Sequence, residues 1–192
     1  MAAREVITEG DARLRQKAIK VRKVDQELRQ LAADMFETMH EHRGVGLAAP
    51  QIGLLRRFIV IGLAEGMEED DSPAVELALV NPEIVRASGR QIVTEGCLSI
   101  PNWYGEVPRA KHVTVKARDL NDKEVRIKAS GYLASILQHE IDHLDGVLFL
   151  DRVEDRSTLH HISDEELAAL EAEADAEAQA EAGAEAAAVA ED

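Results

Sequence analysis

The sequence has a single cysteine, few aromatic residues and no long apolar run. With Cys97 alone, no internal disulfide can form. Aromatic residues make up 3% of the 192 residues, so we expect a core of Val, Ile, Leu and Ala. No apolar run approaches the ~18 residues that span a bilayer, and the first residues lack the apolar stretch of a signal peptide. We therefore expect a cytoplasmic protein that has one domain with a hydrophobic core and no membrane partner.

The sequence also lacks an excess of basic charge. Its formal net charge is −15, and 14 acidic against 2 basic residues fall between positions 151 and 192. The remaining 150 residues carry 23 acidic and 20 basic residues and are nearly neutral. Neither part has the basic surface that binding to DNA or RNA requires.

What the chain does contain is a pair of histidines four residues apart, His139 and His143. On a helix they point the same way, with Cβ atoms about 5–6 Å apart, and can share one metal ion. Glu140 lies beside them and can take a proton from a water molecule and pass it to a leaving group. This His-Glu-x-x-His pattern is typical of metal-dependent hydrolysis, although surface helices also carry His and Glu by chance.

A metal site built on two helical histidines needs a third protein ligand and an open position for water. Cys97 follows a short apolar segment, Ile92-Val93, and precedes Pro101, so we expect it near the end of a strand. A lone cysteine is more often a small buried residue than a reactive one. Together with the histidine pair, however, it completes a plausible ligand set.

The rest of the chain alternates between helix and strand patterns. Asp25 is the expected N-cap of a helix with apolar residues at Leu28, Leu31, Met35 and Met39, ended by Gly44. Ser130 should cap the histidine-bearing helix, and Gly146 should end it. The expected strands lie at 57–63, 77–85 and 92–93, with a turn at 88–90, and a hairpin joins 113–117 to 125–129. Residues 1–24 read as an extended arm packed on the body.

The C-terminal end begins with a helix-start pattern, Ser163-Asp164-Glu165-Glu166. Beyond Leu170 the composition is Ala, Glu, Asp, Gln and Gly up to Val189, which offers no apolar face for docking. We therefore divide the chain into a body, 1–163, and an acidic helix that frays into a disordered tail, 164–192.

Three stretches, taken in order, resemble the three motifs of the peptide deformylase family. They are Gly44-Val45-Gly46-Leu47-Ala48-Ala49-Pro50-Gln51, Glu95-Gly96-Cys97-Leu98-Ser99 and Gln138-His139-Glu140-Ile141-Asp142-His143-Leu144. With Val107-Pro108-Arg109-Ala110 and the strand pattern, the resemblance covers roughly residues 5–155. It implies an α+β fold in which mixed or antiparallel β-sheets surround a central metal-binding helix. To this the residue pattern adds an N-terminal helix and a C-terminal acidic helix and tail.

The resemblance also assigns roles. Cys97, His139 and His143 would bind one divalent ion, natively Fe²⁺, with Zn²⁺ or Ni²⁺ as alternatives in purified protein. Glu140 would be general base and then general acid, while the Gln51 side chain and the Leu98 N–H would stabilise the oxyanion. Gly46 would pair with the substrate backbone. The residues expected to bind substrate are Val45, Gly46, Val93, Tyr132, Ser135 and Ile136. The implied substrate is an N-formylmethionyl nascent polypeptide, and the products are formate and a free amino terminus.

Two further expectations concern the surroundings of the site. We expect Glu95 and Arg109 to pair and to support the metal ligands from outside. Many family members carry a basic side chain just after the cysteine motif, where this chain has Asn102-Trp103-Tyr104-Gly105. Some members use a basic C-terminal helix on the ribosome. The acidic end of this chain should be repelled by ribosomal RNA, so any transient ribosome contact should not use it.

Two other readings compete. A zinc peptidase of the His-Glu-x-x-His type would take its third ligand downstream, where His160 and His161 are candidates. A binding module that has lost activity would keep the fold but not the chemistry. The intact set of Glu140, Gln51 and three ligands argues against the second reading, and the motif around Cys97 argues against the first.

Overall fold

The fold of this computed structural model is α+β, as predicted. The structure describes residues 3–66, 74–163, 165–166 and 168–169. Two longer helices lie in this part of the chain, α1 (Gln26–Glu41) and α2 (Gly131–Leu144). The strands are β1 (Gly46–Ala48), β2 (Phe58–Leu63), β3 (Val75–Ser88), β4 (Gln91–Cys97), β5 (Ile100–Arg109), β6 (His112–Arg118), β7 (Glu124–Ser130) and β8 (His160–His161).

The strands form two antiparallel sheets. The larger has the order β1-β2-β3-β6-β7, and the smaller has the order β4-β5-β8. The predicted hairpin is present, with Val115 opposite Ile127. The predicted turn at 88–90 connects strands of different sheets, with Gly89 at a φ of 73°. In the described chain β1 and β4 are therefore edge strands, one at the end of each sheet.

Helix α1 begins as predicted and ends slightly differently. The Asp25 carboxylate accepts a hydrogen bond from the Leu28 N–H at 3.0 Å, and the predicted apolar face is buried. We expected Gly44 to end the helix, but the residue in the left-handed conformation is Arg43, at a φ of 52°. The Gly44 N–H then bonds to the Met39 carbonyl at 2.8 Å, which satisfies one of the free carbonyls at the helix end.

Helix α2 is the central element that carries the histidines. Ser130 occupies the N-cap position, but its hydroxyl makes no capping hydrogen bond, so that part of the prediction is wrong. At the other end Gly146 stops the helix at a φ of 75°, as predicted. The buried guanidinium of Arg57 donates to the Leu144 carbonyl at 3.3 Å and to Asp145 at 2.7 Å, which fixes the C-terminal end.

The core is aliphatic and divides into three clusters. The largest lies between α2 and the larger sheet and includes Leu137, Ile141 and Leu144. A second packs α1 against the same sheet, and a third lies under the smaller sheet around Phe149. Phe58 and Phe149 are the buried aromatic residues of the described core, in keeping with the scarcity of aromatics. Helix α2 is thus held between sheets, with one face free for a site.

The two ends of the chain are only partly described. The N-terminal arm forms a short 3₁₀ turn at Ala12–Arg15 with Leu14 buried. At the other end the Ser163 hydroxyl accepts from the Glu166 N–H at 3.2 Å, and Glu166 accepts from the Ser163 N–H at 2.9 Å, so the predicted helix start is present. The rest of the predicted acidic tail lies outside the described residues. No helix in the described ranges has the length and apolarity to cross a membrane.

Candidate metal centre and active site

Three donor atoms converge on one point between β4 and α2. Cys97 is the last residue of β4, and its Sγ lies 3.3 Å from His143 Nε2. The two Nε2 atoms of His139 and His143 are 3.2 Å apart, and all three donors fall within 4.8 Å of one another. Within the described ranges, this is the one group of His, Cys and acidic side chains spaced for a single ion. The helix repeat and the strand end bring the three ligands together.

The chemistry of this donor set fits a divalent metal. His139 Nδ1 lies 2.8 Å from the Glu95 carboxylate, and a hydrogen bond donated by Nδ1–H to this carboxylate favours the tautomer whose Nε2 has a free lone pair. Nε2 of His139, Nε2 of His143 and the sulfur of Cys97 converge, and one cation between them could accept a lone pair from each. One thiolate and two imidazoles suit Fe²⁺ or Zn²⁺ about equally by ligand softness.

Glu95 is held in turn by Arg109. The guanidinium donates two hydrogen bonds to the carboxylate, at 2.7 and 2.9 Å, and a third to Asp142 at 2.6 Å. Both side chains are at least 93% buried. Burial opposes the charged form of Glu95, but hydrogen bonds from Arg109 and His139 lower the pKa of Glu95 below its ordinary value. The carboxylate therefore stays ionised and orients the His139 ring.

Glu140 lies beside the ligands in a different environment. It is 4% exposed, and burial raises the pKa of its carboxyl to about 7. Its Oε2 has no hydrogen-bond partner among the described protein groups. The other face of the carboxylate rests on the backbone of Gly46, where an added Cβ would lie 2.8 Å from Glu140 Cδ. The site thus holds a buried carboxyl with one open oxygen and a pKa near neutrality.

The side chain of Gln51 also lies next to Cys97. Its carbonyl oxygen accepts the Ala48 N–H at 2.8 Å, which turns the amide nitrogen toward Cys97 Sγ at 3.6 Å and Ser99 Oγ at 3.4 Å. The side chain is 1% exposed. Leu98, which directly follows Cys97, lines the same cavity. A donor amide is therefore fixed next to the metal ligands.

A cavity of about 570 Å³ opens above these groups. All the residues that the sequence indicated for substrate binding line it, namely Val45, Gly46, Val93, Tyr132, Ser135 and Ile136. The Ser135 hydroxyl bonds to the Tyr132 carbonyl at 2.6 Å, which leaves this wall largely apolar. Both edge strands, β1 and β4, border the cavity.

Sequence reasoning missed several lining residues. The mouth includes His42, Arg43, Asn102 and Trp103, and the N-terminal arm contributes Val6 and Thr8. The position of Asn102 and Trp103 after the cysteine motif was a signal for the mouth, whereas nothing in the arm pointed to the cavity. His160 and His161, the alternative ligands, are exposed on β8 and pair with Tyr104 and Trp103 instead.

Comparison with known proteins gives consistent matches. A family model described as polypeptide deformylase matches residues 3–158. A peptide deformylase of Thermomicrobium roseum is 65% identical over 172 residues, 90% of this chain and 98% of the relative. A peptide deformylase of Roseiflexus castenholzii is 57% identical, covering 78% and 85% of the two chains.

Solved structures agree with these relatives. A peptide deformylase from Legionella pneumophila is similar with a TM-score of 0.73 and 46% identity, over 80% of this chain and 87% of that one. One from Ehrlichia chaffeensis, in complex with actinonin, has a TM-score of 0.76 and 40% identity, over 82% and 92%.

Proposed function

The chain belongs to the polypeptide deformylase family, and on that premise we propose that it removes the formyl group from the N-terminal methionine of nascent polypeptides and releases formate. The observation that carries this proposal is the convergence of three metal-binding donors, within 4.8 Å of one another, beside a buried carboxyl with a free oxygen. The reaction class is metal-dependent hydrolysis of a linear amide.

Cys97, His139 and His143 would hold one divalent ion per chain. When bound, the ion polarises the formyl carbonyl and lowers the pKa of a coordinated water. We propose Fe²⁺ as the native metal because of family membership, with Zn²⁺ or Ni²⁺ as alternatives in purified protein. Glu95 and Arg109 would support the site by keeping His139 in the tautomer whose Nε2 is free to coordinate.

Glu140 would move the proton. Its carboxylate accepts a proton from the attacking water and then gives it to the leaving amine. A pKa of about 7, caused by burial, suits a group that must both accept and donate near neutral pH. Its Oε2, which is buried and has no partner among the described protein groups, would give the attacking water a hydrogen-bond acceptor.

Gln51 and Leu98 would stabilise the tetrahedral intermediate. The amide nitrogen of Gln51 and the backbone N–H of Leu98 donate to the oxygen that becomes negatively charged. Because the side-chain carbonyl of Gln51 already accepts a hydrogen bond from the Ala48 N–H, the side-chain amide is oriented before substrate arrives. This preorganisation lowers the barrier without a cost in reorientation during the reaction.

The substrate would enter as an extended chain. β1 and β4 are edge strands that border the cavity, so their free backbone groups can pair with a peptide, as Gly46 is expected to do. The methionine side chain would occupy the apolar wall formed by Val45, Val93, Tyr132, Ser135 and Ile136. Contacts beyond methionine would involve Asn102 and Trp103.

The working partner is the nascent chain in the cytoplasm, with no DNA or membrane partner. We propose that any transient contact with the ribosome does not use residues 164–192, because their acidic charge repels RNA. In a ribosome-pelleting assay, deletion of residues 164–192 should leave co-sedimentation unchanged. Loss of co-sedimentation on deletion would contradict this.

The function is tested by measuring formate released from formyl-Met-Ala-Ser under anaerobic conditions, which protect a ferrous thiolate site from oxidation. The wild-type chain should release one formate per peptide. Glu140→Gln should retain metal and lose about 10²- to 10⁴-fold in kcat. Cleavage of an internal peptide bond instead would identify a peptidase, and tight binding without formate would identify an inactive binding module.

A further inference from the structure

The N-terminal arm crosses the front of the site and touches both loops that carry the proposed oxyanion donors. The Ile7 N–H donates to the backbone carbonyl of Gln51 at 2.8 Å, and the Glu9 N–H donates to the backbone carbonyl of Ser99 at 2.7 Å. In an extended segment, N–H groups two residues apart point to the same side. One edge of the arm thus bonds to the Gln51 loop and to the Ser99 loop in succession.

The arm is anchored upstream of this crossing and at the crossing itself. Upstream, the Arg4 N–H bonds to Thr38 Oγ1 at 2.8 Å, and its guanidinium pairs with the buried Asp34 at 2.7 Å, both on α1. At the crossing itself, the Ile7 side chain packs against the core cluster under the smaller sheet. Val6 and Thr8, which alternate with Ile7, line the cavity. The arm therefore connects α1, the Gln51 loop and the smaller sheet.

The two loops have few direct links to each other. Gln51 Nε2 reaches Ser99 Oγ at 3.4 Å, which is long for a hydrogen bond between nitrogen and oxygen, and Cys97 Sγ at 3.6 Å, where the acceptor is a weakly accepting sulfur. The two bonds from the arm are shorter, and they hold backbone carbonyls rather than a side chain. The Ser99 carbonyl belongs to the Ser99–Ile100 peptide, two peptides after the one that carries the Leu98 N–H. Holding this carbonyl therefore restrains the short turn that presents the Leu98 N–H.

From this geometry we propose that residues 4–9 are a positioning strap that sets the distance between the Gln51 amide and the Leu98 N–H. The strap touches neither the metal donors nor Glu140, and it acts through the two oxyanion donors. Oxyanion stabilisation depends on donor placement at the ångström level, so a loosened strap should lower kcat. Metal binding and the binding of the peptide substrate should change little. The proposal rests on the function proposed above.

The test compares Ile7→Pro with Ile7→Ala. Both remove the isoleucine side chain, but only proline removes the N–H that bonds to Gln51. Lys20→Pro, outside the strap, is the ring control, since its N–H has no acceptor among the described residues and its side chain is exposed. We expect Ile7→Pro to lower kcat about 10- to 100-fold below Ile7→Ala, with KM within threefold. Lys20→Pro should turn over like wild type.

Further readouts separate positioning from a structural role. Metal content per chain and the pH midpoint of kcat/KM should match wild type in Ile7→Pro, because Cys97, His139, His143 and Glu140 are untouched. If Ile7→Pro does not fold, Arg4→Ala should lower kcat in the same way by loosening the anchor, and Arg4→Lys should restore it.

The proposal is overturned by equal kcat values for Ile7→Pro and Ile7→Ala, or by a fall in kcat that tracks loss of metal. For the Arg4 pair, unchanged kcat overturns it equally. Failure of the proposed function looks different, because then the wild-type chain itself releases no formate.

Discussion

The floor and the mouth of the cavity are built in opposite ways. The floor consists of Cys97, His139 and Glu140, with the buried His143 next to His139, and these residues come from a strand end and a helix. The mouth consists of His42, Arg43, Asn102 and Trp103, which come from a helix end and a strand, and Trp103 is 40% exposed. In the proposed function the floor would supply the reaction, and the mouth would contact the variable part of the substrate.

The largest expected effect is at the support of the floor. Arg109→Ala would leave Glu95 and Asp142 as buried carboxylates without their shared guanidinium. We expect a loss of about 3–5 kcal/mol in the free energy of unfolding and a roughly 10- to 100-fold loss of metal affinity. Urea denaturation and titration against a chelator measure the two effects.

Arg90→Ala is the matched control, because the Arg90–Glu154 pair is exposed and should contribute less than about 1 kcal/mol. Unchanged metal content and turnover in Arg109→Ala would show that Arg109 does not support the metal site.

The second prediction concerns the stability cost of Glu140. Its pKa rises from an ordinary 4.5 to about 7 in the folded protein, so between these values the folded state binds more protons than the unfolded state. Stability is therefore lost as the pH rises from about 4.5 to about 7. In metal-free protein, Glu140→Gln should gain about 3 kcal/mol over wild type between pH 4.5 and pH 8. The free energy of unfolding of wild type and of Glu140→Gln is measured by urea denaturation across this pH range. If the two curves run parallel, the pKa of the Glu140 carboxyl is not raised.

The third prediction concerns the contact between Gly46 of β1 and Glu140. A Cβ at Gly46 would overlap the Glu140 carboxylate, which must then shift. We expect Gly46→Ala to keep its metal and to lose about 10- to 100-fold in kcat. Gly131→Ala is a suitable control: it has a positive φ of 56° but nothing within 4 Å of the added Cβ. It should cost stability of about 1 kcal/mol and leave kcat unchanged. Equal kcat in both variants would argue against the Gly46 contact.

The smallest effect is expected at the mouth. The Trp103 ring packs edge-on against His161 with centroids 5.4 Å apart, and in the proposed function it would offer an apolar surface to the residue after methionine. Trp103→Ala should raise KM about two- to fivefold for peptides with a large apolar second residue, with kcat unchanged. Ile19→Ala, an exposed site that does not line the cavity, is the control. A drop in kcat would mean that the mouth takes part in the chemistry.

The same contrast explains what the sequence could predict. His139, Glu140 and His143 follow from the helix repeat, and the strand before Cys97 follows from local pattern. The approach of Gln51 to Cys97 was predicted only through family resemblance, because it depends on packing between distant segments. The bonds from Ile7 and Glu9 come from backbone N–H groups, which leave no residue-type signal. Likewise, the left-handed Arg43 and the unused hydroxyl of Ser130 are set by tertiary packing rather than by propensity.

The central claim is that one thiolate and two imidazoles bind a single metal ion, and cobalt loading tests it most directly. Under anaerobic conditions the wild-type chain should bind one Co²⁺ and gain an absorption band from the cobalt–thiolate bond. Cys97→Ala should lose the band and the metal, while a His160→Ala, His161→Ala double variant should keep both. Full cobalt content in Cys97→Ala, with loss of cobalt in the double histidine variant, would contradict the account.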